Sequence, residues 1–181
     1  MSDSKFLVWN VRGLNSRASR VCVRDIVLLE AVSVVCLQET KVELFSLSMI
    51  SDLLSRTLIT WFSLRWGLLG GVGCLAQGLL ARVGSSVGTF CISVHILPVD
   101  GDPVHAFWLT TVYGPTDLAL KEAFLQELEG LAVMCAGAWV ICGDFNLVYQ
   151  VQDKSNNRMN RRLMLRFRRS IDTLRWLRSS T

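Results

Sequence analysis

Ser33-Val-Val-Cys-Leu-Gln-Glu-Thr40 opens with an apolar run, Ser33–Leu37, and stops on three polar residues. An unbroken β-branched run of this length reads as a strand covered on both faces, because a half-exposed strand would alternate. Two other segments share the design. Phe6–Trp9 is stopped by Asn10-Val-Arg-Gly13, and Ala138–Cys142 is ended by Gly143-Asp-Phe-Asn146. Between them the spacing predicts a helix over Arg17–Glu30, burying Val21, Ile26 and Leu29, and a short helix around Leu44–Leu54. Thr60–Trp66 reads as an aromatic strand. Gly70-Gly-Val-Gly73 reads as a tight turn into Cys74–Gln77. Gly88–Leu97 and Val104–Val112 read as strands joined by a turn at Asp100-Gly-Asp-Pro103. Asp117 is placed to cap a helix running to about Ala132. A last helix, from about Asn157 to Leu177, puts Leu163, Phe167, Ile171 and Leu174 on one face. Strands and helices in this order predict a layered α/β fold with a mixed sheet. At 181 residues the chain suits one domain, 1–181.

Composition narrows the class. Half the residues, 51%, are hydrophobic and 19% are charged, which excludes disorder over the whole length. Mean hydropathy is +0.38. The longest charge-free runs, Trp66–Ala81 and Val83–Val99, are broken by Gly, Ser, His or Pro. They fall short of the roughly 18 continuous apolar residues of a spanning helix, so no membrane association is expected. The N-terminus lacks a charged segment followed by an apolar one, and an intracellular, reducing location is expected. The six cysteines form no CxxC pair and no metal spacing with His, and read as small buried free thiols. The six tryptophans read as core. The net charge of +4 is uneven: residues 154–181 hold nine basic residues and one acid, a net of +8, against −4 for the remainder. A basic end on a mildly acidic body points to a polyanion partner.

The polar stops lie at the C-terminal ends of buried strands, where loops converge and ligands bind in layered α/β folds. Two carboxylates, Glu39 and Asp144, and two amides, Asn10 and Asn146, would make a hard, oxygen-rich site. Such a set suits Mg²⁺ or Mn²⁺, which keep waters and bridge to phosphate oxygens, and does not suit Zn²⁺. No small-molecule cofactor is expected.

The segments Val8-Trp-Asn-Val-Arg-Gly-Leu-Asn15, Val35-Cys-Leu-Gln-Glu-Thr-Lys41, Gly70-Gly-Val-Gly73, Tyr113-Gly-Pro115 and Ile141-Cys-Gly-Asp-Phe-Asn146 come in that order. Together they resemble the endonuclease/exonuclease/phosphatase superfamily, the apurinic-endonuclease-like group. The Trp9–Ser16 opening and the run Asp153–Arg162 are most similar to the endonuclease domain of plant-type LINE (non-LTR) retrotransposons. The resemblance extends from Lys5 to about Leu177. It implies two mixed β-sheets packed face to face with outer helices. It implies metal ligation by Glu39 with Asn10 beside the metal and the scissile phosphate, and a phosphate contact by Tyr113. Asp144 would orient or deprotonate the attacking water, with Asn146 stabilising the phosphorane-like transition state.

Two departures qualify this. The family's late metal-binding Asp and its Ser-Asp-His signature find no match in these 181 residues. The only histidines are His95, mid-strand, and His105, beside a turn. Arg12 stands where the DNA-repair branch has Asp. The expectation is a sandwich incomplete at its C-terminus, of marginal stability, with an exposed sheet edge open to self-association. Its activity would be Mg²⁺-dependent DNA nicking for target-primed reverse transcription, impaired by the lost His and exerted in the nucleus. Two alternatives stay open: another phosphodiesterase or phosphatase of the superfamily, and a non-catalytic relic that binds nucleic acid. In either DNA-binding case Arg158, Arg161, Arg162 and Arg166 are candidate backbone contacts; their other reading is a solvated helix face.

Overall fold

A computed structural model describes residues 5–42, 45–53, 59–64, 72–77, 80–98, 102–153 and 160–179. Two four-stranded mixed sheets form. The first holds β1 (Phe6–Asn10), β2 (Val34–Gln38), β3 (Ile59–Leu64) and β4 (Val72–Gln77), in the order β1-β2-β4-β3. The second holds β5 (Leu80–Val87), β6 (Cys91–Pro98), β7 (Phe107–Tyr113) and β8 (Trp139–Asp144), in that order. Each sheet carries one parallel pair at one edge, β1 with β2 and β7 with β8, and antiparallel pairs beyond. The expected two-sheet architecture is the one observed.

Alternation along the strands builds three cores. Val34 and Cys36 of β2 face Ile92, Val94 and Ile96 of β6 and Leu109 of β7, forming the layer between the sheets. Val35 and Leu37 point the other way, onto α1 (Arg17–Leu29) and α2 (Leu47–Leu53), against Val23, Val27 and Leu53. Every residue of β2 is buried, as its unbroken apolar run requires. On the far side α3 (Lys121–Met134) and α4 (Arg161–Ser179) cover the second sheet. Cys91 and Val112 meet Phe124, Leu125, Leu128, Phe167 and Leu174 there. Leu163 and Ile171 complete the predicted face of α4.

Several expectations change. The buried face of α1 is Val23 and Val27, whereas Leu29 is 82% exposed. The face turns because Arg20 folds its stem inward, donating to the Leu14 and Asn15 carbonyls (2.8 Å each) and to Asp52 (3.1 Å). Strand β5 was not expected. Gly84 and two serines dilute its pattern, and a bulge between Arg82 and Gly84 breaks its period. Gly88 belongs to the β5–β6 turn and not to a strand, and Val104 and His105 lie in a 3₁₀ turn, Pro103–His105. Asp117 caps another short 3₁₀ turn, Leu118–Leu120, which feeds α3. Cys22 is exposed; Cys36, Cys91 and Cys135 are buried and Cys142 is half-buried. Gly70, Gly71 and Arg158 lie outside the described residues.

Two of the four edge strands, β1 and β8, expose apolar side chains: Phe6, Val8 and Val140 are each about 40% accessible. The opposite end of the second sheet is held by one carboxylate. Glu127 of α3 accepts from the backbone N–H groups of Thr89 (3.0 Å), Phe90 (2.9 Å) and Cys91 (2.9 Å). Its oxygens occupy the space of a Cβ at Gly88. Replacing Glu127 by Leu strands three donors around one apolar group. Urea unfolding should register a loss of roughly 2–3 kcal/mol, the scale of charge-assisted bonds left unmade.

Candidate active site

Each parallel pair ends its strands on polar residues, and the sandwich places both sets at one end. In the first sheet Asn10 pairs with Gln38; in the second Tyr113 pairs with Asp144. Glu39 follows β2 and stands between the sheets. Its Oε1 accepts from Asn10 Nδ2 at 2.7 Å and from the Tyr113 hydroxyl at 2.8 Å. These side chains come from positions 10, 39 and 113, so no local motif predicts the contact. Asp144 ends β8 and Asn146 lies on the turn that follows it. Asp144 Oδ1 accepts from the Asn146 N–H at 2.9 Å, and Asn146 Nδ2 donates to the Gly114 carbonyl at 2.8 Å. All five residues are half-buried.

Two features unread in the sequence hold the sheets in this register. Gln38, 2% exposed, donates its amide across the sandwich to the Val112 carbonyl. Gly143, at φ 129°, lies against both groups: a Cβ there would fall on Val112 O and Gln38 Nε2. Gly114 is similar, its missing Cβ filled by the Phe145 carbonyl. No local signal announces either contact; Gln38 and Val112 are 74 residues apart.

The turns themselves are strained. Arg12 (φ 52°), Glu39 (φ 52°), Lys41 (φ 53°) and Asn146 (φ 49°) adopt left-handed backbone, which non-glycine residues rarely hold. Outliers of this kind cluster where surrounding structure over-determines a functional geometry.

The electrostatics follow from the bonds. Hydrogen bonds from Asn10 and then Tyr113 hold the Glu39 carboxyl below its ordinary range, and the charges of Arg12 and Lys41 add to this. Burial, then the bond to Glu39, pushes the Tyr113 phenol up to about 12. The pair therefore sits as carboxylate and phenol at neutral pH. Both of Glu39's hydrogen bonds fall on Oε1. Among the described residues no three His, Cys, Asp or Glu side chains gather as a metal group. One fixed carboxylate with an amide oxygen, Asn10 Oδ1, beside it fits Mg²⁺ or Mn²⁺, which bind through one or two carboxylates and retain waters. Asn10 Oδ1 also accepts from Arg12 N–H at 3.3 Å, a long contact.

The arginines divide. Arg161 and Arg162 are exposed on the first turn of α4. Arg166 is not available as a phosphate contact. It grips Glu129 through both carboxylate oxygens (2.6 and 3.1 Å) and Glu122 at 3.0 Å, and so docks α4 on α3. The spacing of α4 put it on the polar face, but two acids of α3 lie opposite. His95 stacks on Trp108 at 4.8 Å between centroids, and His105 is exposed at the end of its 3₁₀ turn; neither is among the site residues.

Because folding lowers the Glu39 pKa, the group contributes stability that is fully present above the ordinary glutamate value and lost as pH falls through the folded value. Carbon-detected titration should find Glu39 below 4.5, and Asn10→Ala should raise it, since the Asn10 bond is the largest cause.

No curated protein matches the chain. Solved structures share its fold. AP endonuclease LMAP from Leishmania major superposes with a TM-score of 0.68 at 15% identity, covering 94% of this chain and 66% of that one. The endonuclease domain of TRAS1, a telomere-specific non-LTR retrotransposon, gives 0.67 at 13% identity, covering 94% and 72%. D. rerio TDP2 complexed with a single-strand DNA product gives 0.58 at 19% identity, covering 82% and 62%. The chain thus spans about two thirds of the length of the structures it resembles. A family profile starting within β1 and running through α4, residues 7–181, contains every strand end described above, and on that match the chain belongs to the Endonuclease/Exonuclease/phosphatase family.

Proposed function

We propose that this domain is a metal-dependent phosphodiesterase that nicks DNA, the endonuclease of a LINE-type retroelement, leaving a 3′-OH for target-primed reverse transcription in the nucleus. The observation that carries the reading is Glu39, ionised and held between the sheets by Asn10 and Tyr113, beside the Asp144–Asn146 turn. Bound Mg²⁺ or Mn²⁺, held by Glu39 and Asn10, supplies charge stabilisation at phosphorus. Asp144 orients the attacking water. Asn146 keeps one amide N–H on Gly114 and offers the other to a phosphate oxygen. The Tyr113 hydroxyl, fixed by Glu39, offers a second phosphate contact. The reading includes self-association through the β1 and β8 edges, where Phe6, Val8 and Val140 lie exposed.

The test is nicking of supercoiled plasmid by the monomeric fraction. Relaxation with Mg²⁺, absent in EDTA and in both Asp144→Asn and Glu39→Gln, is the expected outcome. Equal relaxation by wild type and variants, in purified folded protein, would overturn the reading.

A second reading, DNA binding without turnover, draws on the exposed Arg161 and Arg162. If both meet phosphates, the double Ala variant lowers the slope of log K against log salt by roughly 1–2. Arg166→Ala instead loosens α4 and lowers the melting temperature.

A further inference from the structure

Among the described residues Lys121 is the only charged side chain that is buried, at 6% exposure. Lysines are almost never fully buried unless paired. The acceptors its ammonium finds are two main-chain carbonyls, Pro115 O and Asn146 O, each at 2.7 Å. Pro115 stands two residues after Tyr113, and Asn146 is itself a site residue. The first residue of α3 therefore reaches back under both loops of the second sheet.

We propose that Lys121 is a positioning residue for the site, clamping the Tyr113–Pro115 loop to the Gly143–Asn146 turn so that Asp144 and Asn146 present their side chains together. The clamp rests on geometry; its consequence for rate rests on the nuclease reading above. The two loops are also laced directly. Gly114 N–H donates to the Asp144 carbonyl at 2.7 Å, and Asn146 Nδ2 returns to the Gly114 carbonyl. Asn146 holds left-handed backbone, at φ 49°, a conformation asparagine tolerates better than most residues but that its turn must still select by restraint. A charged donor to its carbonyl supplies that restraint, because charge-assisted bonds are about twice as strong as neutral ones. Burial lowers the lysine's proton affinity, and the negative charge of Asp144 opposes that effect. A pocket of about 130 Å³ lined in part by Leu118, Asn146 and Met164 adjoins the side chain.

The test uses isotopically labelled full chain. In wild type the Lys121 ammonium should show through-hydrogen-bond couplings to the carbonyl carbons of Pro115 and Asn146. An ammonium exchanging like those of exposed lysines would overturn the proposal, and this measurement needs no variant to fold. In Lys121→Met, the Gly114 amide and the Asn146 side-chain amide should lose slow hydrogen exchange, while Val112 and Leu128 keep theirs. Unchanged exchange at Gly114 and Asn146 would overturn the proposal too. The same variant should nick with kcat reduced about 10²-fold, the penalty of an ångström-scale misplacement, at unchanged KM. Lys121→Arg should recover part of that loss. If wild type does not nick at all, the nuclease reading fails, and the exchange data still decide whether the clamp exists.

Discussion

One amide in the sandwich core sets the geometry of everything above it. Gln38 crosses from the first sheet to the Val112 carbonyl of the second, through space that Gly143 leaves empty. The rest of the inter-sheet layer is mostly apolar, with a weaker thiol contact from Cys142 to Cys36 at 3.9 Å beside it. A buried hydrogen bond is directional and costly to leave unmade, so it selects one register. With that register fixed, the next residue, Glu39, falls between Asn10 of its own sheet and Tyr113 of the other.

The site is built from strained turns mounted on rigid strands. Left-handed residues follow three of the four strand ends that converge, at Arg12 after β1, Glu39 and Lys41 after β2, and Asn146 after β8. Of the strands beneath them β2 is buried throughout, while β1 and β8 are half-exposed edges. The Asn146 turn is further tied by Gly114 and by the buried ammonium of Lys121. The consequence is electrostatic as well as geometric. Glu39 stays charged because two donors and two nearby cations favour the ionised form, while burial keeps Tyr113 protonated. A fixed anion at the mouth of a sheet sandwich is the feature a hard cation would need.

On the outer faces the same chemistry has a purely mechanical use. Glu127 gathers three backbone amides of the β5–β6 turn, and Arg166 locks α4 to two acids of α3. Arg166 is instructive, because its place on the polar face of a basic helix suggested a phosphate contact. What a helix's polar face meets is decided by the neighbouring element, which periodicity does not reveal.

The strand ends themselves were legible. Unbroken apolar runs closed by polar residues located β1, β2 and β8, and with them Asn10, Glu39, Asp144 and Asn146, although burial on both faces holds for β2 alone and β1 and β8 are half-exposed edges. Helix α4 and its buried face were legible as well. Strand β5, the true face of α1 and the docking of Arg166 were not, since each depends on a partner far away in the chain. The sequence by itself determined which residues end the strands and what chemistry they carry. Only the tertiary structure decided that Glu39 lies within hydrogen-bond reach of both Asn10 and Tyr113, and that Gln38, Gly143 and Lys121 hold that arrangement. Those contacts join residues up to 105 positions apart. Packing brings them together, and no local pattern encodes it.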